Sequence, residues 1–359
     1  MSFLKGMTSV FKKIDPMKTK NLILPALITL SSLFALSSCQ KKQYIRNEGI
    51  VFGTTYHLTY SSSEDLQPEI EAELQKFDAA LSMFNPESTL SRINRSGTEK
   101  IDLQQEPWTL KVIEESIRLS QVTHGAFDIT VAPLVNAWGF GFKTMGEANQ
   151  QEIDSLKQFV GYKLLHLKNG VLVKGDPRVQ LDASAIAKGY ACDVVGAFLR
   201  KNGVEDYLVE IGGEMAISGK NPNGGNWRVG INKPVDDSTS TNMEWEQKLT
   251  LTNKAIATSG NYRNFYEKNG KKYAHTIDPA TGYPVQHSLL SATVVAKNCL
   301  TADALATSFM VMGVDSAMSL AERLPDVEGF FIYNDGGNDN KVCFTSGIPA
   351  FQKQDEVKP

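Results

Sequence analysis

The chain has 359 residues, 42% of them hydrophobic and 21% charged, with a formal net charge of −3, which suits a globular protein of one large domain or two modest ones. Five of the 37 basic and one of the 40 acidic residues lie in the first 38 positions, so the remainder carries 32 against 39, a net −7. Such a surface repels nucleic acid, and no basic stripe overrides it. Cys192, Cys299 and Cys343, in apolar or strand-like contexts, make neither a disulfide framework nor a zinc site; core packing is expected of them.

At the N-terminus Lys18 and Lys20 precede the apolar run Leu22 to Leu36, which ends in Leu36-Ser37-Ser38-Cys39. A charged segment followed by an apolar one too short for a comfortable membrane span reads as a signal peptide over 1–38, with Met17 a plausible true start. Its end resembles a lipobox, in which Cys39 is lipidated and becomes the first residue; a plain secretory signal or anchor is the alternative. Residues 39–48 then form a polar tether, 49–350 one compact unit, and 351–359 a polar tail.

Within that unit GIVFGTTYHLTY alternates as a half-buried strand, with Phe52-Gly53 where the backbone could pass close to a flat ligand. Pro68 opens a helix whose Ile70, Leu74, Phe77 and Leu81 share one face, stopping near Asn85-Pro86. A second helix runs from Pro107 to Gly125. The stretch AFDITVAPLVNAWGFG that follows is too irregular for a strand and reads as loop. A third helix covers 150–160, and KLLHLKNGVLVKG is a hairpin turning on Asn169-Gly170.

Leu181 to Asp193 comes next, LDASAIAKGYACD. Asp182 stands where a helix N-cap belongs, apolar residues follow at helical spacing, and Lys201-Asn202-Gly203 closes the element. A helix N-terminus with Lys188 one to two turns in suits a phosphate or diphosphate; an ordinary capped core helix has the same pattern. YLVEIGGEMAIS, WRVGIN, QKLTLT and AIATSG read as short strands, NFYEKNGKKYAHTI as a hairpin on Asn269-Gly270, and SATVVAK as another strand. Helices at 301–311 and 315–324 precede VEGFFIY and KVCFT, which close a sheet. Mixed strands and helices, mostly joined by hairpins, predict an α+β fold with antiparallel sheets and flanking helices.

Three further stretches could carry chemistry. In TADALATSFMVMG, Asp303 and Thr307 are four apart on a helix and face one side, with Ala306 alongside. A carboxylate, a hydroxyl and main-chain carbonyls make the oxygen-only set that Mg²⁺ takes, although an Asp near a helix start also serves as a cap. In HTIDPATGYPV, His275 at a strand end could be a general base, a phosphate contact or a structural residue. In EIGGEM and ATSGNYRNF, paired glycines allow close approach, and Arg263 could hold an anion or a nearby carboxylate. No GxGxxG opens a βαβ unit, and Walker A, HExxH and GxSxG motifs do not occur, so dinucleotide-fold, ATPase, zinc-protease and α/β-hydrolase readings drop away.

Together VFGTTY, LSMFNPESTLSRIN, GAFDITVAPLVNAWGFG, LDASAIAKGYACD, EIGGE, ATSGNYRNF, HTIDPATGYPV and TADALAT resemble, in order and from about Gly49 to Gly347, the ApbE-type FAD:protein FMN transferase family. The resemblance implies a T-fold-related catalytic unit. It also implies Mg²⁺-dependent transfer of FMN from FAD to a threonine of a flavinylation motif in an exported or membrane redox subunit, with release of AMP. Carried across, the metal ligands are Asp303, Thr307 and the carbonyls of Ala185 and Ala306. Phe52, Phe84, Ala126, Phe127, Asp128, Asp182, Lys188, His275 and Ile277 would meet FAD. Lys188 and the metal would neutralise charge developing on the diphosphate, and His275, Asp303 or a metal-bound hydroxide would take the threonine proton. Phe52 replaces a frequent methionine, Asn261 a common aspartate, and GGE the more usual GGD. A lipid anchor would hold the chain at the bacterial cell envelope, facing the periplasm. An FAD diphosphatase yielding FMN and AMP, or a flavin-binding lipoprotein without turnover, are the alternatives.

Overall fold

The computed structural model describes residues 42–141, 148–234, 244–261, 265–268 and 271–352, with the side chains of 265–268 and 271–274 left undescribed. The leader, Cys39, Arg263, the Asn269-Gly270 turn and most of the C-terminal tail lie outside these residues. The chain divides into two units, Met1–Lys42 and Gln43–Pro359, and every strand and helix below belongs to the second.

Eight strands form the main sheet: β1 (Tyr44–Val51), β2 (Thr54–Ser61), β3 (Tyr207–Ile211), β4 (Glu214–Ser218), β5 (Lys254–Gly260), β6 (Leu289–Ala296), β7 (Glu328–Tyr333) and β8 (Lys341–Phe344). Their spatial order is their chain order, and every neighbouring pair is antiparallel. The expected α+β architecture is therefore present. Residues 62–206 leave the sheet between its second and third strands.

Both faces of the sheet are covered, which is why its later strands read as apolar runs. Alternate residues point to opposite sides: Ala255 and Ala257, Ala292 and Val294, and Phe331 enter one core, while Ile256, Val295, Phe330 and Ile332 enter another. The second core is closed by a ribbon of Trp227–Asn232 and Trp245–Leu251, through Trp227, Val229, Leu249 and Leu251. The first is closed by helices α1 (Gln67–Leu81), α2 (Pro107–Val122), α3 (Ala187–Lys201) and α4 (Cys299–Met312). Both α1 and α2 start on a proline in the first turn, where the missing N–H costs nothing. In α4, Asn298 accepts the Thr301 N–H as a cap and Gly313, at φ 76°, ends the helix. Ten of its 14 residues are buried, so it lies inside the core; residues such as Phe309 contribute about 2–3 kcal/mol each by burial.

The structure corrects several local expectations. GIVFGTTYHLTY and YLVEIGGEMAIS each fold back as a hairpin, because Phe52-Gly53 (φ 52° and 74°) and Gly212-Gly213 (φ 63° and 102°) adopt left-handed conformations. The first strand also takes in Tyr44–Glu48, at the end of the expected tether. The expected loop after Gly125 contains a 3₁₀ turn at Ile129–Val131 and a helix at Ala132–Ala137, and Thr89–Arg95 is a further helix capped by Ser88. Helices α1 and α2 end at Leu81 and Val122, short of Asn85 and Gly125. The Asn169-Gly170 hairpin and the Gly203 helix stop are as expected.

Candidate active site

The two helices singled out in the sequence, α3 and α4, cross with their backbones touching. Gly189 permits it: a Cβ there would lie 2.3 Å from the Cys299 carbonyl oxygen and 2.6 Å from Asp303 Cβ. Two reciprocal sets of hydrogen bonds lock the crossing. The Gly189 N–H donates to Asp303 Oδ2 at 2.9 Å, and the Asp193 carboxylate accepts the Cys299 and Leu300 N–H groups at 2.9 and 2.8 Å. Asp193 thus caps α4 from a different helix, and burial pushes its pKa up to about 6 despite those bonds.

Asp303 is 2% exposed, and burial raises its pKa, with Lys188 and the Gly189 N–H acting the other way. Lys188, the second residue of α3, places its ammonium 2.7 Å from Glu214 Oε1. Burial opposes the lysine charge, but the Asp303 and Glu214 carboxylates outweigh it and hold the ammonium above its usual range. Glu214, brought round by the Gly212-Gly213 turn, is pushed up to about 7 by burial, opposed by Lys188 and reinforced by Asp303. One ammonium between two buried carboxylates leaves an excess of negative charge. Thr307, one turn beyond Asp303, has its hydroxyl 3.0 Å from that of Ser259 on β5. Among the described residues no three His, Cys, Asp or Glu side chains gather as a metal cluster. The donors at hand are a carboxylate, hydroxyls and carbonyls, which suit a hard cation and not zinc.

These groups open into a cavity of about 970 Å³. Phe52, Phe84, Ala126, Phe127, Asp128, Asp182, Ala185, Lys188, His275, Ile277, Asp303 and Thr307 all line it, so nearly every residue singled out in the sequence converges there. Ala306 is fully buried and is not among the lining residues. Phe52 rests on Phe77, ring centroids 5.6 Å apart, while Phe84 is 79% exposed. His275 stands edge-on to Phe140.

Two aspartates brace the chain. Asp128 Oδ1 accepts from the Thr130 N–H and hydroxyl and Oδ2 from the Tyr162 N–H, while burial raises its pKa against those bonds. Asp182 is not the N-cap of α3: its carboxylate accepts the Ser184 N–H in a turn that precedes the helix, which begins at Ala187. Asn261 accepts from the Thr276 hydroxyl at 2.9 Å, tying the end of β5 to the segment after His275. Glu214, Ser259 and Asp193 were missed as site residues. The glycine pair before Glu214 was the available signal, but nothing local indicates that this carboxylate meets Lys188.

A family model described as the ApbE family matches residues 52–331. The FAD:protein FMN transferase of Vibrio cholerae is 39% identical over 305 residues, 82% of this chain and 90% of that relative. The one from Haemophilus influenzae is 37% identical over 350 residues, 94% of this chain and 99% of that relative. Among solved structures, the flavin transferase ApbE from Vibrio cholerae superposes with a TM-score of 0.77 at 36% identity, covering 86% of this chain and 99% of that one. The apo flavinyl transferase ApbE of Pseudomonas stutzeri gives 0.78 at 31% identity, covering 88% and 98%. The chain belongs to the ApbE family.

Proposed function

We propose that this chain transfers FMN from FAD to a threonine hydroxyl of an acceptor protein, releasing AMP, with Mg²⁺ at Asp303. The observation that carries the reading is the pairing of Asp303 and Thr307, one helical turn apart beside Lys188, in a cavity of dinucleotide size. The surplus carboxylate charge and oxygen-only donors fit the ion, which Asp303, Thr307 and the Ala185 carbonyl would hold, Ala306 lying behind the cavity wall. Once bound, it would neutralise charge on the diphosphate oxygens.

The chain's own residues do the rest. Lys188 presents a positive charge to the diphosphate, held by Glu214. Phe52 and Phe84 offer ring faces to the flavin. His275 takes the proton of the threonine hydroxyl as its oxygen bonds to phosphorus and the bond to the AMP phosphate breaks. We also propose that Cys39 carries a lipid that anchors the chain to the bacterial cell envelope, facing the periplasm, where a threonine-bearing flavinylation motif of an exported or membrane redox subunit is the acceptor.

The test incubates the purified chain from residue 40 with FAD and Mg²⁺, with and without a threonine-containing acceptor peptide. The expected result is a yellow covalent peptide and AMP in equal amounts. Asp303→Ala lowers the rate by at least about 10³-fold, as removal of a principal electrostatic group does. Unchanged FAD in the wild-type reaction would refute the reading, and AMP with free FMN but no adduct would reassign the chain as a diphosphatase.

A further inference from the structure

Lys174, outside the cavity, is 1% exposed, the least solvent-exposed cation among the described residues. Its ammonium meets no carboxylate there. It lies instead among four main-chain carbonyls: Ile93 at 3.4 Å, Ser96 at 3.1 Å, Pro177 at 2.9 Å and Val179 at 3.3 Å. Asp176, the acidic residue nearest in sequence, is engaged by the Arg178 guanidinium through two bonds of 2.9 and 2.7 Å. Burial accordingly pulls the Lys174 pKa below its ordinary range, with Asp176 opposing. A buried ammonium with no carboxylate in contact is costly, and among the described residues this one makes its hydrogen bonds only to carbonyls from two separate segments.

One of those segments, 93–96, ends the Thr89–Arg95 helix; the other, 177–179, begins the strap that runs to α3. A second tie joins the same two segments. Asn94 Nδ2 donates to the Leu181 carbonyl at 2.8 Å and Asn94 Oδ1 accepts the Leu181 N–H at 2.7 Å, so one side chain pairs with the strap as a neighbouring strand would. The Asp182 N–H then donates to the Ile129 carbonyl at 2.6 Å. Immediately beyond these ties the strap delivers Asp182, Ser184 and Ala185 to the cavity wall. A main-chain carbonyl can serve as a ligand only if its backbone is held, because it has no rotamer of its own to adjust.

We propose that Lys174 and Asn94 are positioning residues that fix the 177–185 strap so that the Ala185 carbonyl faces the metal. The inference rests on the transfer reading, and the wild-type protein must first show Mg²⁺-dependent transfer. Lys174→Met and Asn94→Ala are then compared with Leu320→Ala, a buried substitution on the helix Val314–Ala321, which packs against α4 and β7. Thermal stability, the Mg²⁺ concentration for half-maximal rate and kcat at saturating Mg²⁺ are measured for each.

Both strap variants raise the half-saturating Mg²⁺ concentration at least about tenfold, the usual size of an effect transmitted through a ligand's support. Their kcat at saturation falls far less. Lys174→Arg, which keeps the charge, recovers part of the Mg²⁺ affinity. Leu320→Ala loses thermal stability and leaves the half-saturation point where it was. If Asn94→Ala stays folded with wild-type Mg²⁺ half-saturation, or if Leu320→Ala shifts it equally, the assignment fails. Wild-type protein without transfer would instead overturn the functional reading beneath it.

Discussion

At the floor of the cavity the charged groups are held at fixed short distances, although Glu214 Oε2 is left without a hydrogen-bond partner among the described residues. Asp303 takes the Gly189 N–H, Lys188 sits on Glu214, and α3 and α4 touch through a glycine. At the mouth, Phe84 projects with 79% of its surface exposed, and Phe52 occupies the tip of a two-residue turn. The floor depends on distances of a few tenths of an ångström between rigid elements, whereas the mouth depends on apolar area that a ring can offer from many angles. The same kind of substitution should therefore do different damage at the two ends.

The largest effect belongs to Gly189→Ala. The added methyl meets the Cys299 carbonyl and Asp303 Cβ, neither of which is a flexible side-chain end, so the helices must part. The expected loss is about 3 kcal/mol, at the upper end of overpacking costs, seen as an earlier midpoint in denaturant together with loss of transfer. A variant of wild-type stability would break the view of the floor as a fitted contact. Phe84→Ala should leave the denaturant midpoint unchanged, while the FAD concentration for half-maximal rate rises up to about tenfold, the worth of one aromatic contact. Equal loss of stability would show that Phe84 belongs to the core after all.

The most gradual effect is a pH slope in metal-free protein. Glu214 is raised from 4.5 to about 7 and Asp193 from 3.8 to about 6, so across that window the folded chain binds protons that the unfolded chain has released. Stability therefore falls as pH rises towards 7 and levels off above it. Acidifying from pH 8 to 6 in EDTA should add about 2 kcal/mol, or about 4 °C in Tm. In Glu214→Gln the rise should shrink to the share of Asp193 and the other carboxylates that burial raises, Asp303 and Asp128.

Legibility followed the range of the interactions involved. The periodicity of α4, the Asn169-Gly170 turn and the apolar runs of β6 and β7 are local patterns, and each sits where its sequence suggests. Phe52 escaped that logic because an aromatic residue at φ 52° is the opposite of what a turn usually selects, so two strands read as one. Asp182 looked like the cap of α3 because an aspartate before a helical run usually is one, yet its carboxylate bonds within the preceding turn. The convergence of residues from 52 to 307 on one cavity was available only through the family resemblance, since no spacing rule links segments so far apart. The Lys188–Glu214 pair lay beyond both.

The meander order of the sheet carries a consequence for how the polypeptide comes together. Thr54–Ser61 lies beside Tyr207–Ile211, so the second and third strands of the sheet are partners separated by roughly 145 positions, while most other neighbours are much nearer in sequence. Closing so long an excursion costs about 4 kcal/mol of chain entropy before any ladder bond is formed. On that ground the N-terminal hairpin is expected to join after the C-terminal sheet, whose excursions are shorter.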